Sequence, residues 1–312
     1  MRLVTREEYL DYIREHDSIV IEDQVVPLKP ITIDRLEPDE DEDQPTDTTV
    51  WSFPKRGSWA THKGDYRGNW APQIPRALIQ MYSNPGEVVL DQMVGSGTTC
   101  IEARLLGRNC IGIDINYAAI MLSHHRLYYL EEYAKNNPDN EWSRNVLSTW
   151  TKLYHGDARN LEEIEDESID LIATHPPYFN IIRYTKKVEG DLSKTRKLEE
   201  YLSWMSDVAR EAYRVLKPGR YCAVLIGDTR IRRHYVPISH YVLRVFLKQG
   251  FILKEEIIKI QHKMKTTREV WRKLKKRDFL LIYHEKLYVF KKPGSEEDLK
   301  THKYSGFLED IS

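Results

Sequence analysis

Short apolar runs of strand length alternate with longer stretches of helical spacing through most of this chain. The first clear core helix is predicted over 75–82, and a strand over 87–91 follows it. Then come a helix over 98–106, a strand over 109–114, a long helix over 117–135 and a third strand around 152–154 that ends at Asp157. Residues 169–173 form a fourth strand. A helix over 198–216 stops at Lys217-Pro218-Gly219, and a strand over 221–226 continues from it. After a helix over 237–248 and a break at Gly250, two last strands are predicted over 251–260 and 279–291. Strands alternating with helices build a mostly parallel, doubly wound α/β sheet with ligands at the carboxyl ends of its strands. The last two strands are close in sequence and are expected to pair antiparallel.

The first fifty residues follow a different pattern. Tyr9, Leu10 and Ile13 mark a small amphipathic helix, and 19–26 is strand-like. Residues 37–47 hold seven acidic side chains and no basic one, punctuated by proline, and are expected to be a mobile loop. Residues 51–72 are rich in Trp, Gly and Arg and predict an ordered loop over a site. The division expected is an N-terminal extension over 1–64, a core domain over 65–292 and a tail over 293–312.

Composition narrows the class. The 312 residues are 41% hydrophobic and 30% charged, as in a soluble globular protein. No apolar run reaches the ~18–20 residues of a membrane span, and the N-terminus lacks a signal-peptide core, so a cytoplasmic protein is expected. Cys100, Cys110 and Cys222 have no CxxC spacing, which argues against a zinc site or a disulfide framework and predicts three buried thiols. The net charge of −1 hides a polarised molecule, since 261–278 carries eight Lys or Arg against Glu269 and Asp278.

Two motifs carry the chemistry. Strand 87–91 ends at Asp91 and runs into a turn with Gly95 and Gly97, then a helix from Thr98. Such a turn lets main-chain N–H groups approach a ligand closely. Asp114 closes the next strand, where an acid can accept both ribose hydroxyls of an adenosyl ligand, and Asp157 ends the one after. The second motif is the tip His175-Pro176-Pro177-Tyr178 at the end of the fourth strand, a rigid carbonyl-bearing corner with an aromatic plate.

Together, DQMVGSGTT (91–99) and THPPYFN (174–180) resemble the S-adenosylmethionine-dependent methyltransferases that act on an exocyclic amino nitrogen of adenine or cytosine. The resemblance covers roughly residues 65 to 292 and implies a seven-stranded, Rossmann-like sheet closed by an antiparallel pair. It implies that Asp91, Gly95, Gly97, Thr98, Asp114 and Asp157 hold the cofactor, Asp157 reading the adenine amino group. It also implies that GNWAPQIPRALI (68–79), with Trp70, packs over the methionine end. The residue before Pro-Pro and the carbonyl of the first proline would accept the two amino protons of the target, and Tyr178 would stack on a base drawn out of its helix. This chain departs from the family in having Gln92-Met93 where Pro-Phe is usual, and His175 where Asp, Asn or Ser is usual. A neutral imidazole accepts one hydrogen bond; an imidazolium accepts none.

The Pro-Pro-Tyr-Phe-Asn string, the basic loop after it and the later VLKPG lean toward the cytosine-N4 branch. Substrate grip falls to loops 51–70, 180–197, 230–233 and 261–278. Asn180, Arg183, Arg230, Arg232, Arg233, Lys273 and Lys276 are the expected substrate contacts, with Trp59, Tyr184 and Trp271 available to stack or wedge. The implied partners are nucleic acid and, for a modification enzyme, a cognate restriction endonuclease. No membrane or metal is called for. The leading expectation is methylation of N4 of cytosine in DNA. Structured RNA such as ribosomal RNA is the alternative substrate, and a methyltransferase-like protein that binds nucleic acid without catalysis is the third reading.

Overall fold

The computed structural model describes all residues except 22–23, 43–45, 67, 180–190, 193–194, 196, 263–277 and 309–312. Its centre is a nine-stranded sheet. Four parallel neighbours, β7 (Thr151–His155), β6 (Asn109–Asp114), β5 (Val88–Asp91) and β8 (Ile169–Thr174), lie in that order and are followed by β9 (Leu216–Ile226). The antiparallel pair β13 (His284–Lys291) and β12 (Ile252–Ile260) completes the seven expected strands. Two short strands that the sequence did not predict cap the sheet. β1 (Arg2–Val4) runs antiparallel to β7, and β4 (Val50–Ser52) runs parallel to β12.

Successive residues along each central strand point to opposite faces. Val89, Cys110, Leu171 and Ala223 join one buried cluster with α2 (Gln73–Tyr82), α3 (Thr98–Leu105) and α4 (Tyr117–Asn136). Their neighbours Leu90, Ile111, Ile172 and Val224 join another with α6 (Leu198–Val215) and α7 (Ile238–Lys248). The strands are apolar on both sides because helices cover both sides. Asn116 caps α4 by accepting from the Ala118 amide at 3.1 Å, which starts that helix directly after Asp114.

Several expectations are corrected. The amphipathic helix, α1, spans Arg6–Glu15, but the strand-like run is a hairpin of β2 (Ser18–Ile21) and β3 (Gln24–Pro27). An extra helix, α5, occupies Glu141–Ser148. Residues 279–283 form no strand: the paired register of β12 and β13 ends at Ile260 opposite His284, with one further main-chain bond from the Gln261 amide to the Tyr283 carbonyl at 2.9 Å. The acidic loop is tied down at Glu42, which is fully buried and accepts from Arg35 at 2.6 Å and from the Ser58 hydroxyl at 3.0 Å. Cys100 on α3 and Cys110 on β6 are joined as a disulfide with Cα atoms 5.3 Å apart, so only Cys222 is a buried thiol. Among the described residues, no helix is long and apolar enough to cross a membrane.

Candidate active site

β7, β6, β5 and β8 end side by side, and a cleft of about 790 Å³ opens over their carboxyl ends. Asp91, Gly95, Thr98, Asp114, Asp157, His175, Pro177 and Trp70 all line it, so most of the predicted cofactor and catalytic residues meet in one place.

The turn between β5 and α3 is held by its own acids. The Asp91 carboxylate accepts from the Met93 amide and the Thr99 hydroxyl. Asp114 accepts from the Gly95 amide at 2.9 Å and the Asn116 amide at 2.8 Å. Gly95 and Gly97 both take left-handed backbone angles, φ 53° and 85°. Their tasks differ. A side chain at Gly95 would press on the Tyr66 ring at the cleft, whereas one at Gly97 would press on Ser123 of α4, away from the cleft lining. Burial pushes the Asp91 carboxyl up to about 6 and that of Asp114 up to about 7, the latter with the carboxylates of Asp91 and Asp191 adding to the shift. Asp157 is clasped by the guanidinium of Arg159 at 2.6 Å, and that group lies 4.2 Å from the Trp204 ring centroid.

The tip after β8 is equally fixed. The Tyr201 hydroxyl donates to the Pro177 carbonyl at 3.0 Å. Tyr178 packs on Gly227, where any Cβ would collide with its ring, and its hydroxyl donates to Glu285 at 2.6 Å. His175 Nε2 lies 2.6 Å from the same hydroxyl, and its ring stacks on Trp70. Burial depresses the imidazole pKa to about 4, so His175 is neutral at physiological pH. Burial alone would raise Glu285, but Lys259 at 2.8 Å holds it down to about 2.

The described residues of 51–72 are tied to α3 through a buried clamp. Glu102 of α3 accepts from the Trp59 indole at 2.7 Å, from Arg76 at 3.2 Å and pairs with His62 Nε2 at 2.6 Å. Trp59 is therefore 1% exposed and unavailable to stack on a substrate, which corrects that expectation. Arg56 donates to the Trp70 carbonyl at 2.6 Å and fixes the indole at the cleft. Arg230, Arg232 and Arg233 belong to a hairpin of β10 (Thr229–Ile231) and β11 (His234–Val236) beyond the end of β9. Arg230 serves that hairpin, donating to the carbonyls of Leu280 and Arg233, while Arg232 and Arg233 stand exposed at its tip. Asn180, Arg183, Tyr184, Trp271, Lys273 and Lys276 lie outside the described residues.

Sequence reasoning passed over Tyr66, Met93 and Asp191, which line the cleft, and Glu285 behind the tip. The signal for Glu285 was an acid next to the apolar run LYVF (287–290) in the last strand.

Four carboxylates, a glycine turn where a Cβ would press on the Tyr66 ring, and the rings of Tyr66 and Trp70 supply acceptors and plates for an adenosyl ligand with a cationic end. The buried Thr98 hydroxyl at the cleft makes no hydrogen bond among the described residues. These residues fit S-adenosylmethionine.

The comparisons with known proteins agree with that fit. Type II methyltransferase M.BglII of Bacillus subtilis is 43% identical over 109 residues, 34% of this chain and 28% of the relative. The DNA adenine methyltransferase YhdJ of Escherichia coli K12 is 39% identical over 95 residues, 28% of this chain and 31% of the relative. The tRNA (guanine(10)-N2)-dimethyltransferase of Methanocaldococcus jannaschii is 33% identical over 116 residues, 36% of this chain and 29% of the relative. The chain thus matches less than a third of each of these relatives' lengths. The sequence model of the DNA methylase family N6_N4_Mtase, whose methyl donor is S-adenosylmethionine, matches residues 4–124 and 169–307. With well over half of the chain inside that match, including every cleft residue except Asp157 and Ala158, the chain belongs to the N6/N4 DNA methylase family.

Proposed function

We propose that this protein methylates the exocyclic amino nitrogen of a nucleobase in nucleic acid, with N4 of cytosine in DNA as the target. The observation that carries the reading is that His175 and Pro177 of the tip line the cleft that holds the Gly95 turn, with Tyr178 hydrogen-bonded behind His175. S-adenosylmethionine, when bound, supplies an electrophilic methyl group on a sulfonium.

The chain's own residues then have defined tasks. Asp114 accepts the ribose hydroxyls, Asp157 borders the adenine, and the Gly95 turn and Trp70 enclose the methionine end. A neutral His175 and the Pro176 carbonyl accept the amino hydrogens of the target, which turns the nitrogen lone pair toward the methyl group. Tyr178 gives the base its aromatic neighbour. Arg232 and Arg233 face the phosphates.

The cytosine preference is supported by the Pro-Pro-Tyr-Phe-Asn string and the segments after it. A second reading, the same chemistry on structured RNA, is favoured by the similarity to a tRNA dimethyltransferase. Purified protein with labelled S-adenosylmethionine would be offered DNA and ribosomal RNA, and the nucleosides analysed by mass spectrometry. N4-methylcytosine in DNA is the expected product. Label only in RNA would establish the second reading, and cofactor binding without methylation of either would support a non-catalytic protein.

A further inference from the structure

A single neighbour holds the carboxylate of Asp157 on several sides. Oδ1 accepts from the Arg159 amide at 2.9 Å and from Arg159 Nε at 3.0 Å. Oδ2 accepts from Arg159 Nη2 at 2.6 Å and shares the Nε hydrogen at 3.1 Å. The guanidinium that makes this fork lies over the ring of Trp204 on α6, 4.2 Å from its centroid. The same helix fastens the residues that follow. Glu211 accepts from the Leu161 amide, and Arg214 donates to the carbonyls of Leu161 and Ile164, each at 2.9 Å. Asp157 and Ala158 line the cleft, whereas Arg159 and Trp204 do not.

An ionised carboxylate has about four acceptor sites. The Arg159 amide, Nε and Nη2 fill three of them, and among the described residues no other group donates to Asp157. One site is left for a ligand. A planar fork also fixes the plane of the carboxylate it holds, and the stack on Trp204 fixes the fork. Asp157 thus offers the cleft one oriented acceptor instead of a freely turning carboxylate.

The donor that meets it follows from the order of the strands. β5, β6 and β7 are neighbours about 4.8 Å apart, so the Gly95 turn, Asp114 and Asp157 follow one another along the cleft. With the ribose at Asp114, the adenine falls at Asp157, and its amino group is the one N–H donor that the base carries.

We propose that Arg159, seated on Trp204, makes Asp157 selective for a cofactor with a 6-amino purine. Arg159 is a positioning residue, because it reaches the cofactor only through Asp157. A 6-oxo purine turns a carbonyl lone pair toward the same acceptor and is repelled. The selectivity rests on the proposed placement of the adenine at Asp157 and is independent of which polymer is methylated.

Calorimetry with S-adenosylhomocysteine and its deaminated form, S-inosylhomocysteine, tests it without turnover. The parent should bind the adenosyl compound about 30-fold more tightly than the inosyl one. Asp157→Ala should abolish that preference. Arg159→Leu should abolish it too, with affinity for the inosyl compound held within about twofold, since only the amino contact is lost. Arg159→Lys keeps the charge but has neither the planar fork nor the flat stack, and should lose most of the preference. Trp204→Leu should lose a smaller part. If Arg159→Leu weakens both compounds alike and keeps their ratio, Arg159 is merely structural and the proposal fails. Full preference in Arg159→Lys would overturn it as well, because charge alone would then suffice. A preference untouched by Trp204→Leu would refute the seat on the ring. Full preference retained in Asp157→Ala is the separate outcome that removes the adenine from Asp157, and with it the group through which Arg159 acts.

Discussion

The indole of Trp70 lies nearly parallel to the imidazole of His175, with ring centroids 5.8 Å apart and planes 21° from each other. One residue comes from the loop before the first core strand and the other from the end of β8, so the contact joins the roof of the cleft to its reactive rim. Trp70→Ala should cost about 3–5 kcal/mol of unfolding free energy, as for other buried aromatic truncations. Trp70→Phe should recover most of it. Urea denaturation measures both, and a variant as stable as the parent would show that the stack bears no weight.

Asp114 should make cofactor binding sensitive to pH. Its carboxyl is pushed up to about 7 by burial, and only the ionised form keeps all its lone pairs for ribose hydroxyls. Lowering the pH from about 8 to about 6 should therefore weaken S-adenosylmethionine affinity by about tenfold. Asp114→Asn should bind more weakly and lose this slope, which calorimetry across the range would show.

His175 affects stability with its own sign. Its folded pKa is lowered to about 4, whereas in the unfolded chain it is ordinary at about 6.5. The unfolded state takes up the proton first, so stability is lost as pH falls from about 6.5 toward about 4, by about 3 kcal/mol in all. His175→Gln should remove this component. The difference between parent and variant unfolding curves isolates it from other titrating groups. For the same reason, single-turnover methylation should not drop near pH 6.5 as an exposed histidine would require.

The hairpin tip carries a conformational cost. Arg232 and Arg233 occupy a two-residue turn with φ 50° and 73°, angles that suit Asn-Gly far better than arginine. Replacing them by Asn and Gly should raise stability by about 1 kcal/mol and reduce the salt dependence of nucleic-acid binding by up to about two phosphate contacts. Binding measured over a salt series tests this, and an unchanged slope would remove the tip from the interface.

Much of this was readable in the chain because it is local. The strand, turn and helix around Asp91 and Gly95 occupy consecutive residues, and two-sided burial of β5, β6 and β8 shows as continuous apolar runs. What escaped depends on distant partners. Tyr178 and Glu285 are 107 positions apart, and nothing near either one announces the other. β1 and β4 have three residues each, too few for a periodic signal. Glu42 looks like its acidic neighbours until Arg35 and Ser58 are folded against it. Cys100 and Cys110 meet because a helix packs beside the next strand, which spacing alone does not reveal.

β1 and β4 set a limit on how the chain can be shortened. Both come from the first 52 residues, yet they cover opposite margins of the sheet, β7 on one side and β12 on the other. A protein trimmed to begin at residue 65 would retain the cleft residues from Tyr66 onward but leave two bare rows of main-chain N–H and C=O groups. Such rows pair with any available strand, including those of another copy. Self-association is therefore expected of a truncated enzyme, in addition to loosening of the Trp70 loop that Arg56 and the Glu102 clamp hold.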